Sequence, residues 1–214
     1  VDEQFINNMR EQYDDLCVVC YINSTAKIKT LSDVCVTSSN AKKIVGALPN
    51  KNILFIPDQN LGRHIAKMFP EKNFLFCDGH CPSHYQITVE DLKKAKAAHP
   101  NAPILIHPEC KPECVALSDY AGSTSGIIDY ATNDNEHDEF IVVTEVGVIH
   151  EMEKQNPNKK FYLASEKLVC PNMKKNTLEK VRDCLKYGLN KVELDDEFMA
   201  KAKKPLERMH ELAK

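Results

Sequence analysis

The sequence predicts an α/β protein made of repeated three-layer αβα sandwich units, each with a small four-stranded parallel sheet. Two observations support this prediction. Short, continuous apolar runs of strand length alternate with segments of helix length, which is typical of parallel sheets covered on both faces. The same motifs also occur twice in the same order along the 214 residues, which indicates two copies of one structural unit.

The repeat has a period of 86–89 residues and ends in a Cys-Pro pair each time. Matched positions include Tyr21 and His107, Asn23 and Glu109, Asp33 and Asp119, and Cys81 and Cys170. We therefore expect residues 1–84 to form the first unit and residues 85–182 the second. A helical segment follows over residues 183–214.

Taken in order, the patterns predict the following elements. Strands are expected over 17–22, 34–36, 53–56, 74–77, 104–106, 120–121, 140–144 and 161–164. Helices are expected over 3–15, 24–29, 39–48, 59–68, 89–98, 115–117, 126–131, 146–154, 178–187 and 196–212. Ser38 or Ser39 is expected to cap the helix that ends at Leu48, and Thr88 to open the helix over 89–98. Residues 165–175 are expected to form a loop.

Composition limits the classes of function. Apolar residues at 43% and charged residues at 28% predict an ordinary globular protein, and a net charge of −3 offers no basic surface for nucleic acid. No apolar run approaches the roughly 20 residues of a membrane helix, and the N-terminus has no signal-peptide pattern. Nine cysteines without an export signal predict reduced thiols in a cytoplasmic protein. Since the chain begins at Val1 without Met, we expect it to be trimmed or to begin within a longer protein.

Polar residues follow the predicted strands in both copies. They are Tyr21, Asn23, Ser38, Asp58, Cys81, His107, Glu109, Ser123, Glu145 and Cys170. Parallel sheets bind ligands beyond the carboxyl ends of their strands, so matched residues at these positions predict a ligand site. The hydroxyl clusters 37–39 and 123–125 stand at helix starts, where they either bind an anion or simply cap the helix.

Several of these residues suit acid–base or metal chemistry. His107 and Glu109 can act as general acid and base, or as a ligand and its orienting group. The paired Cys-Pro sites at Cys81 and Cys170 are typical of iron–sulfur ligands, although two thiolates are fewer than a cluster needs. An alternative metal site is a structural zinc half-site at Cys17-x-x-Cys20.

Longer motifs carry a specific resemblance. They are Cys-Tyr-Ile-Asn-Ser at 20–24, the segment 32–40, Pro-Asp-Gln-Asn-Leu at 57–61, Gly-His-Cys-Pro-Ser-His at 79–84, His-Pro-Glu-Cys at 107–110, Gly-Ser-Thr-Ser-Gly at 122–126, the segment 144–150, Cys-Pro-Asn-Met-Lys at 170–174 and Lys-Pro-Leu-Glu-Arg-Met at 204–209. In these motifs, which span essentially the whole chain, the sequence resembles quinolinate synthase, the iron–sulfur enzyme of de novo NAD biosynthesis.

The resemblance implies three αβα domains, each giving one cysteine to a four-iron, four-sulfur (4Fe-4S) cluster with one iron open to substrate. It places Cys81 and Cys170 as ligands and excludes Cys110. The third ligand belongs to the family's first domain, which this chain lacks by this comparison. We therefore expect the chain alone to hold no stable cluster and to form no quinolinate. The final helix is expected to pack on that domain, with Phe198, Met199, Leu206 and Met209 lacking a partner here.

The implied reaction condenses iminoaspartate, supplied by L-aspartate oxidase or aspartate dehydrogenase, with dihydroxyacetone phosphate. It releases phosphate and two waters. By resemblance, the substrate-binding positions are Tyr21, Asn23, Ser38, His84, His107, Glu109, Ser123 and Thr124. Glu109 is the expected general base, His107 polarises or protonates an oxygen, and Tyr21 orients substrate or passes a proton. The alternative function is a two-lobed αβα module that binds a small dicarboxylate without catalysis.

Overall fold

The computed structural model describes residues 1–214, and every strand belongs to one of two sheets. The strands are β1 (Leu16–Tyr21), β2 (Val34–Val36), β3 (Asn52–Ile56), β4 (Asn73–Phe76), β5 (Ile104–Ile106), β6 (Tyr120–Ala121), β7 (Glu139–Val143) and β8 (Lys160–Leu163). The helices are α1 (Glu3–Gln12), α2 (Ala26–Thr30), α3 (Ala41–Ala47), α4 (Gln59–Ala66), α5 (Pro82–Tyr85), α6 (Val89–Ala98), α7 (Pro112–Val115), α8 (Thr124–Asn133), α9 (Gly147–Gln155), α10 (Leu178–Tyr187) and α11 (Asp196–Leu212). A 3₁₀ turn covers Met173–Lys175.

The two sheets have the same strand order. The first runs β2-β1-β3-β4 and the second β6-β5-β7-β8, and every neighbouring pair is parallel. This confirms the predicted fold class of repeated, helix-flanked, four-stranded parallel sheets. In the first sheet β2 lies on one side of β1 and β3 on the other, and in the second sheet β6 and β7 flank β5 in the same way. The chain therefore changes direction across each sheet at β1 and at β5, which creates a topological switch point there. Ligands of open parallel sheets bind at that point, beyond the carboxyl ends of the strands.

The repeat extends to individual hydrogen bonds. Asp33 accepts a 2.7 Å bond from the backbone N–H of Val18, at the first sheet. Asp119, 86 residues later, accepts a 2.7 Å bond from the backbone N–H of Ile104, at the second. In both units, therefore, an equivalent aspartate side chain binds a backbone N–H group of the central strand.

The central strands are buried because helices cover both faces of each sheet. All residues of β1, β2 and β5 are buried, as are the last four of β3 and β7. One apolar core surrounds the first sheet, and two smaller cores flank the second. Burial on both faces explains why these strands are continuous apolar runs rather than alternating ones.

Local signals predicted several helices well. The bounds of α6, α10 and α11 are those predicted, and Thr88 and Asp91 form a reciprocal capping box at the start of α6. Ser123 caps α8 by accepting a 3.1 Å bond from the backbone N–H of Gly126. The helix predicted over 3–15 ends earlier, at Gln12, because Tyr13 adopts an extended conformation.

The predicted cap of α3 is wrong. This helix begins at Ala41, so Asn40 rather than Ser38 or Ser39 occupies the N-cap position. The Asn40 side chain turns back and accepts a 2.7 Å bond from the backbone N–H of Thr37, closing a local turn. That turn leaves the Ser38 hydroxyl without a capping role.

Part of the apolar face of the final helix packs within this chain, whereas the sequence predicts that the whole face lacks a partner here. Met209 is buried in the core of the first unit and Leu206 packs against it. Lys43 also donates hydrogen bonds to the backbone carbonyls of Ala213 and Lys214. Neither α11, which is the longest helix, nor any other helix is long and apolar enough to cross a membrane.

The zinc half-site at Cys17-x-x-Cys20 is also contradicted. Both residues lie within β1, where side chains three positions apart point to opposite faces of the sheet. Both are buried, and the Cys20 thiol lies 3.1 Å from the Ser24 hydroxyl. Cys17 and Cys20 therefore cannot bind one ion and act as core residues.

Candidate active site

A cavity of about 740 Å³ is lined by residues of both units. Six of the predicted site residues line it: Tyr21, Asn23, Cys81, His84, Glu109 and Cys170. Asp58 and Glu145, at matched positions after β3 and β7, line it as well. The strand-end residues of the two sheets therefore converge on one volume, as the repeat predicted.

The other four predicted residues do not line this cavity. Ser38 is next to it, because its side chain lies close enough to the Tyr21 hydroxyl to lower the pKa of that group. His107 is buried behind the cavity wall, with Nδ1 3.3 Å from Oε2 of Glu109. Ser123 and Thr124 lie at the start of α8 and are absent from the lining, and Ser123 caps the helix.

Each cavity cysteine is held by a carboxylate of its own unit. Asp58 Oδ2 accepts a 2.8 Å bond from the backbone N–H of Cys81. Glu145 Oε1 accepts a 3.2 Å bond from the backbone N–H of Cys170, and Lys174 Nζ lies 3.0 Å from the same oxygen. The two carboxylates are 87 residues apart and perform the same task, so the cysteine loops are equivalent parts of the repeat.

The turn before Cys81 requires glycine. A Cβ atom at Gly79 would lie 2.1 Å from the carbonyl oxygen of Pro57, which is too close for any side chain. The Gly79 carbonyl accepts a 2.8 Å bond from the backbone N–H of Gln59, which closes the loop onto the start of α4. Pro82 then opens α5 directly after Cys81. The thiol is thus presented from a fixed turn rather than from a free loop.

The loop that carries Cys170 is tied to the segment that follows Cys81. The Ser83 hydroxyl donates a 3.4 Å bond to the carbonyl of Val169, and Gln86 donates to the carbonyl of Lys167. Lys167 Nζ is also 3.2 Å from the Asp91 carboxylate. These contacts fix the two cysteine loops relative to each other.

A tight group of side chains surrounds the Glu109 carboxylate. His84 Nδ1 is 3.2 Å from Glu109 Oε2 and 3.2 Å from Cys81 Sγ. His84 Nε2 is 3.1 Å from the Thr144 hydroxyl, which lies behind it. The rings of His84 and His107 stack with centroids 5.0 Å apart. Glu109 comes from the second unit and Cys81 from the first, so this group exists only in the folded chain.

Burial shifts the protonation of this group. It raises the pKa of Glu109 to about 8, with a further contribution from the nearby Asp58 carboxylate. It lowers the pKa of His84 to about 4 and that of His107 to about 3. Near neutral pH the imidazoles are uncharged, so their contacts with Glu109 are hydrogen bonds rather than ion pairs. A carboxyl group with a pKa near 8 can both give and take a proton at neutral pH.

Two further acidic groups in the cavity keep their protons when no metal is bound. Burial raises the pKa of the Tyr21 hydroxyl, and the Glu109 carboxylate raises it further. Burial and Glu109 likewise raise the pKa of Cys81 to about 11. Tyr21 is therefore a hydrogen-bond donor to the cavity, whereas the Cys81 thiol becomes a thiolate only when a metal displaces its proton.

Known proteins match this chain over nearly its whole length. A family model described as quinolinate synthetase A protein matches residues 1–211. The chain belongs to the quinolinate synthase family. Proteins named quinolinate synthase from Caldicellulosiruptor bescii and Clostridioides difficile are 50% identical over 212 residues and 51% identical over 213 residues. These matches cover 99% and 100% of this chain and 70% of each relative.

A protein named quinolinate synthase from Methanoregula boonei is 43% identical over 200 residues, covering 94% of this chain and 66% of the relative. The similarity to all three relatives extends through both units. The interpretation of the sequence as a quinolinate synthase is therefore confirmed.

The cysteines of the site fit an iron–sulfur cluster. Of the nine free cysteines, only Cys81 and Cys170 line the cavity, and both are partly exposed. Six others are buried in the cores, and Cys184 is exposed on α10. Thiolates from rigid turns at the edge of an open cavity are the donors that such clusters use.

Sequence reasoning missed three residues that support the site. Asn60 donates a 3.0 Å bond to the carbonyl of Glu109, Thr144 contacts His84, and Lys174 pairs with Glu145. All three residues lie inside motifs that carried the resemblance, but nothing in their spacing indicated a role. Their partners come from distant parts of the chain, so only the folded chain reveals them.

Proposed function

We propose that this chain carries the active site of a quinolinate synthase, which condenses iminoaspartate with dihydroxyacetone phosphate to form quinolinate in de novo NAD biosynthesis. The products also include phosphate and two waters. One observation carries the proposal: two cysteines at matched positions line the same cavity as Glu109, Tyr21 and Asn23. Membership of the quinolinate synthase family supports it.

In this proposal Cys81 and Cys170 are two ligands of a 4Fe-4S cluster, and the third cysteine comes from the family's first domain. When bound, the cluster supplies a Lewis acid with an open iron position for the dehydration steps. The carboxylates of Asp58 and Glu145 hold the backbone of the two ligands. The cavity of about 740 Å³ next to the two cysteine loops has room for a substrate.

Glu109 acts as the general base in this scheme. Its raised pKa, to about 8, lies close to neutral pH, which favours proton transfer in both directions. His107 is an uncharged imidazole whose Nδ1 lies 3.3 Å from Glu109 and accepts the backbone N–H of that residue. It orients the carboxyl group, and its proposed action on a substrate oxygen passes through Glu109, because His107 itself does not line the cavity.

Binding groups surround the base. Protonated Tyr21, which lies beside Ser38, donates to a substrate oxygen, and Asn23 lines the same cavity. Protonated Glu109 and neutral His84 reduce the negative charge that an anionic substrate would meet. By the resemblance we assign Ser123 and Thr124, at the start of α8, to the substrate's anionic end, although neither residue lines this cavity.

The nine free cysteines agree with a reducing compartment, and we place the enzyme in the cytoplasm. An oxidase or dehydrogenase acting on L-aspartate supplies iminoaspartate, since that imine hydrolyses readily and must be formed nearby. These assignments follow from the proposed reaction.

Anaerobic reconstitution with ferrous iron and sulfide, in the presence of the family's first domain, tests the proposal. Cys81→Ala and Cys170→Ala should abolish the brown absorbance and the bound iron and sulfide. The matched controls Cys17→Ala and Cys20→Ala should keep them, because those thiols lie inside the first core. The wild-type protein should form quinolinate from the two substrates.

Equal loss of iron in all four variants would overturn the ligand assignment. Binding of a dicarboxylate by a wild-type protein that takes up no iron and makes no product would instead favour the non-catalytic binding module.

A further inference from the structure

Three side chains of types that bind metals converge at one wall of the cavity, and Cys170 is not among them. The Cys81 thiol, one ring nitrogen of His84 and a carboxylate oxygen of Glu109 all lie within 4.8 Å of one another. The Sγ–Nδ1 and Nδ1–Oε2 distances are both 3.2 Å. Ligands of a tetrahedral Zn²⁺ ion, at bond lengths of about 2.0–2.3 Å, are separated by roughly 3.2–3.6 Å. Two of the three pairs therefore already have nearly the spacing that one such ion requires, and the third pair, Cys81 and Glu109, lies within 4.8 Å.

The surroundings of His84 also match those of a metal ligand. Its Nε2 lies 3.1 Å from the Thr144 hydroxyl, and both residues are buried. Donation from Nε2–H to that hydroxyl leaves the Nδ1 lone pair facing Cys81 and Glu109. Metal-bound histidines characteristically have such a partner on the second ring nitrogen, which fixes the tautomer and the ring orientation.

The three ligands are held by rigid elements. Cys81 and His84 are the N-cap and third residue of α5, and the Cys81 backbone is fixed by Asp58. The Glu109 carbonyl is fixed by the buried Asn60. Preorganised ligands bind a metal with little cost in chain ordering.

We propose that Cys81, His84 and Glu109 bind a single zinc-type divalent cation when no cluster is present. The sulfur and imidazole donors favour Zn²⁺ or Co²⁺ over Mg²⁺ or Ca²⁺. The fourth position of the ion faces the cavity, which admits water. Binding displaces one proton from the Cys81 thiol and one from the Glu109 carboxyl group, so it becomes weaker as the pH falls.

The ion and the iron–sulfur cluster exclude each other, because both use the Cys81 thiolate. Zinc bound here therefore blocks cluster assembly, although it occupies neither Cys170 nor the third cluster ligand. This inference does not depend on the proposed catalytic function, since it needs no sulfide, no cluster and no substrate.

Anaerobic titration of the metal-free protein with Co²⁺ tests the inference. We expect a single equivalent to bind with the intense visible bands of tetrahedral Co²⁺ and a thiolate-to-cobalt charge-transfer band, and Zn²⁺ to displace it. Cys81→Ser, His84→Ala and Glu109→Gln should abolish this spectrum, with circular dichroism verifying that each variant is folded. Thr144→Val should weaken binding by about 10–100-fold.

Cys170→Ser is the decisive control. It removes a cluster ligand but leaves all three proposed ligands, so it should prevent cluster assembly and keep the cobalt spectrum unchanged. If Cys170→Ser abolishes the spectrum as fully as Cys81→Ser does, the ion lies between the two cysteines and the inference is wrong. An octahedral spectrum without the charge-transfer band also overturns it. Cluster formation by a protein that fails the cobalt test would leave the proposed function intact.

Discussion

The side-chain amide of Asn60 donates a 3.0 Å hydrogen bond to the backbone carbonyl of Glu109. Asn60 lies on α4 in the first unit, and Glu109 follows β5 in the second. Both residues are buried, so this bond joins the two units directly beneath the proposed general base. The position of the carboxyl group in the second unit therefore depends on a side chain of the first.

Asn60→Ala should lower kcat by up to about 100-fold, because a displaced catalytic group loses its near-attack geometry. The free energy of unfolding should fall by about 1–3 kcal/mol, since a buried carbonyl loses its partner. Steady-state kinetics and urea denaturation measure the two effects. Gln59→Ala is the control, because the Gln59 side chain bonds only to the exposed residues Asp78 and Arg63. An unchanged kcat in Asn60→Ala protein with a full complement of iron would contradict this role.

Glu109→Gln should keep the cluster and the binding of substrate but lose about 10²–10⁴-fold in rate. Glutamine preserves the shape of the side chain and one acceptor oxygen, yet it cannot take up a proton. Iron content, substrate affinity and single-turnover rates distinguish these effects. A variant within twofold of the wild-type rate would show that Glu109 only positions the substrate.

Asp58→Asn and Glu145→Gln should each shorten the lifetime of the bound cluster. The carboxylates of Asp58 and Glu145 accept the backbone N–H groups of Cys81 and Cys170, and an amide group can present its own N–H there instead. The half-life of the brown absorbance under a chelator measures the effect. Asp78→Asn removes an exposed carboxylate near the same loop and should leave the half-life unchanged. Equal half-lives in all of these proteins would mean that the carboxylates do not hold the ligands.

Asp91→Asn should reduce the dependence of stability on acid pH. Burial alone would raise the pKa of Asp91, but hydrogen bonds from Thr88 and the nearby Lys167 outweigh it and lower the pKa. The ionised carboxylate therefore stabilises the fold above the unfolded pKa near 4, and this stabilisation is lost as the pH falls through the lower folded pKa. Urea denaturation should show a loss of about 0.2–1 kcal/mol near pH 7, because solvent screens the pair with the half-exposed Lys167, and a smaller difference near pH 3. An equal loss at both pH values would exclude the charge as its cause.

The repeat predicted much of the site, because matched strands must place their ends at matched points. Tyr21, Glu109, Cys81 and Cys170 were predicted from position and motif, and all four line the cavity. The partners Asn60 and Thr144 were not predictable. Each contacts a residue that is 49 or 60 positions away in the chain, and hydrogen-bonding residues of this kind are common on any strand or helix.

The sequence by itself determined the parallel sheets and the ends of α6, α10 and α11, since apolar periodicity and capping residues act over one or two turns. The tertiary structure decided which apolar face packs where. Because the hydrophobic effect is non-directional, the apolar face of α11 did not reveal in the sequence what it packs against. In the fold, Leu206 and Met209 of that face pack against the core of the first unit. It also decided the protonation of Glu109, His84 and His107, because desolvation depends on burial that only the complete fold creates.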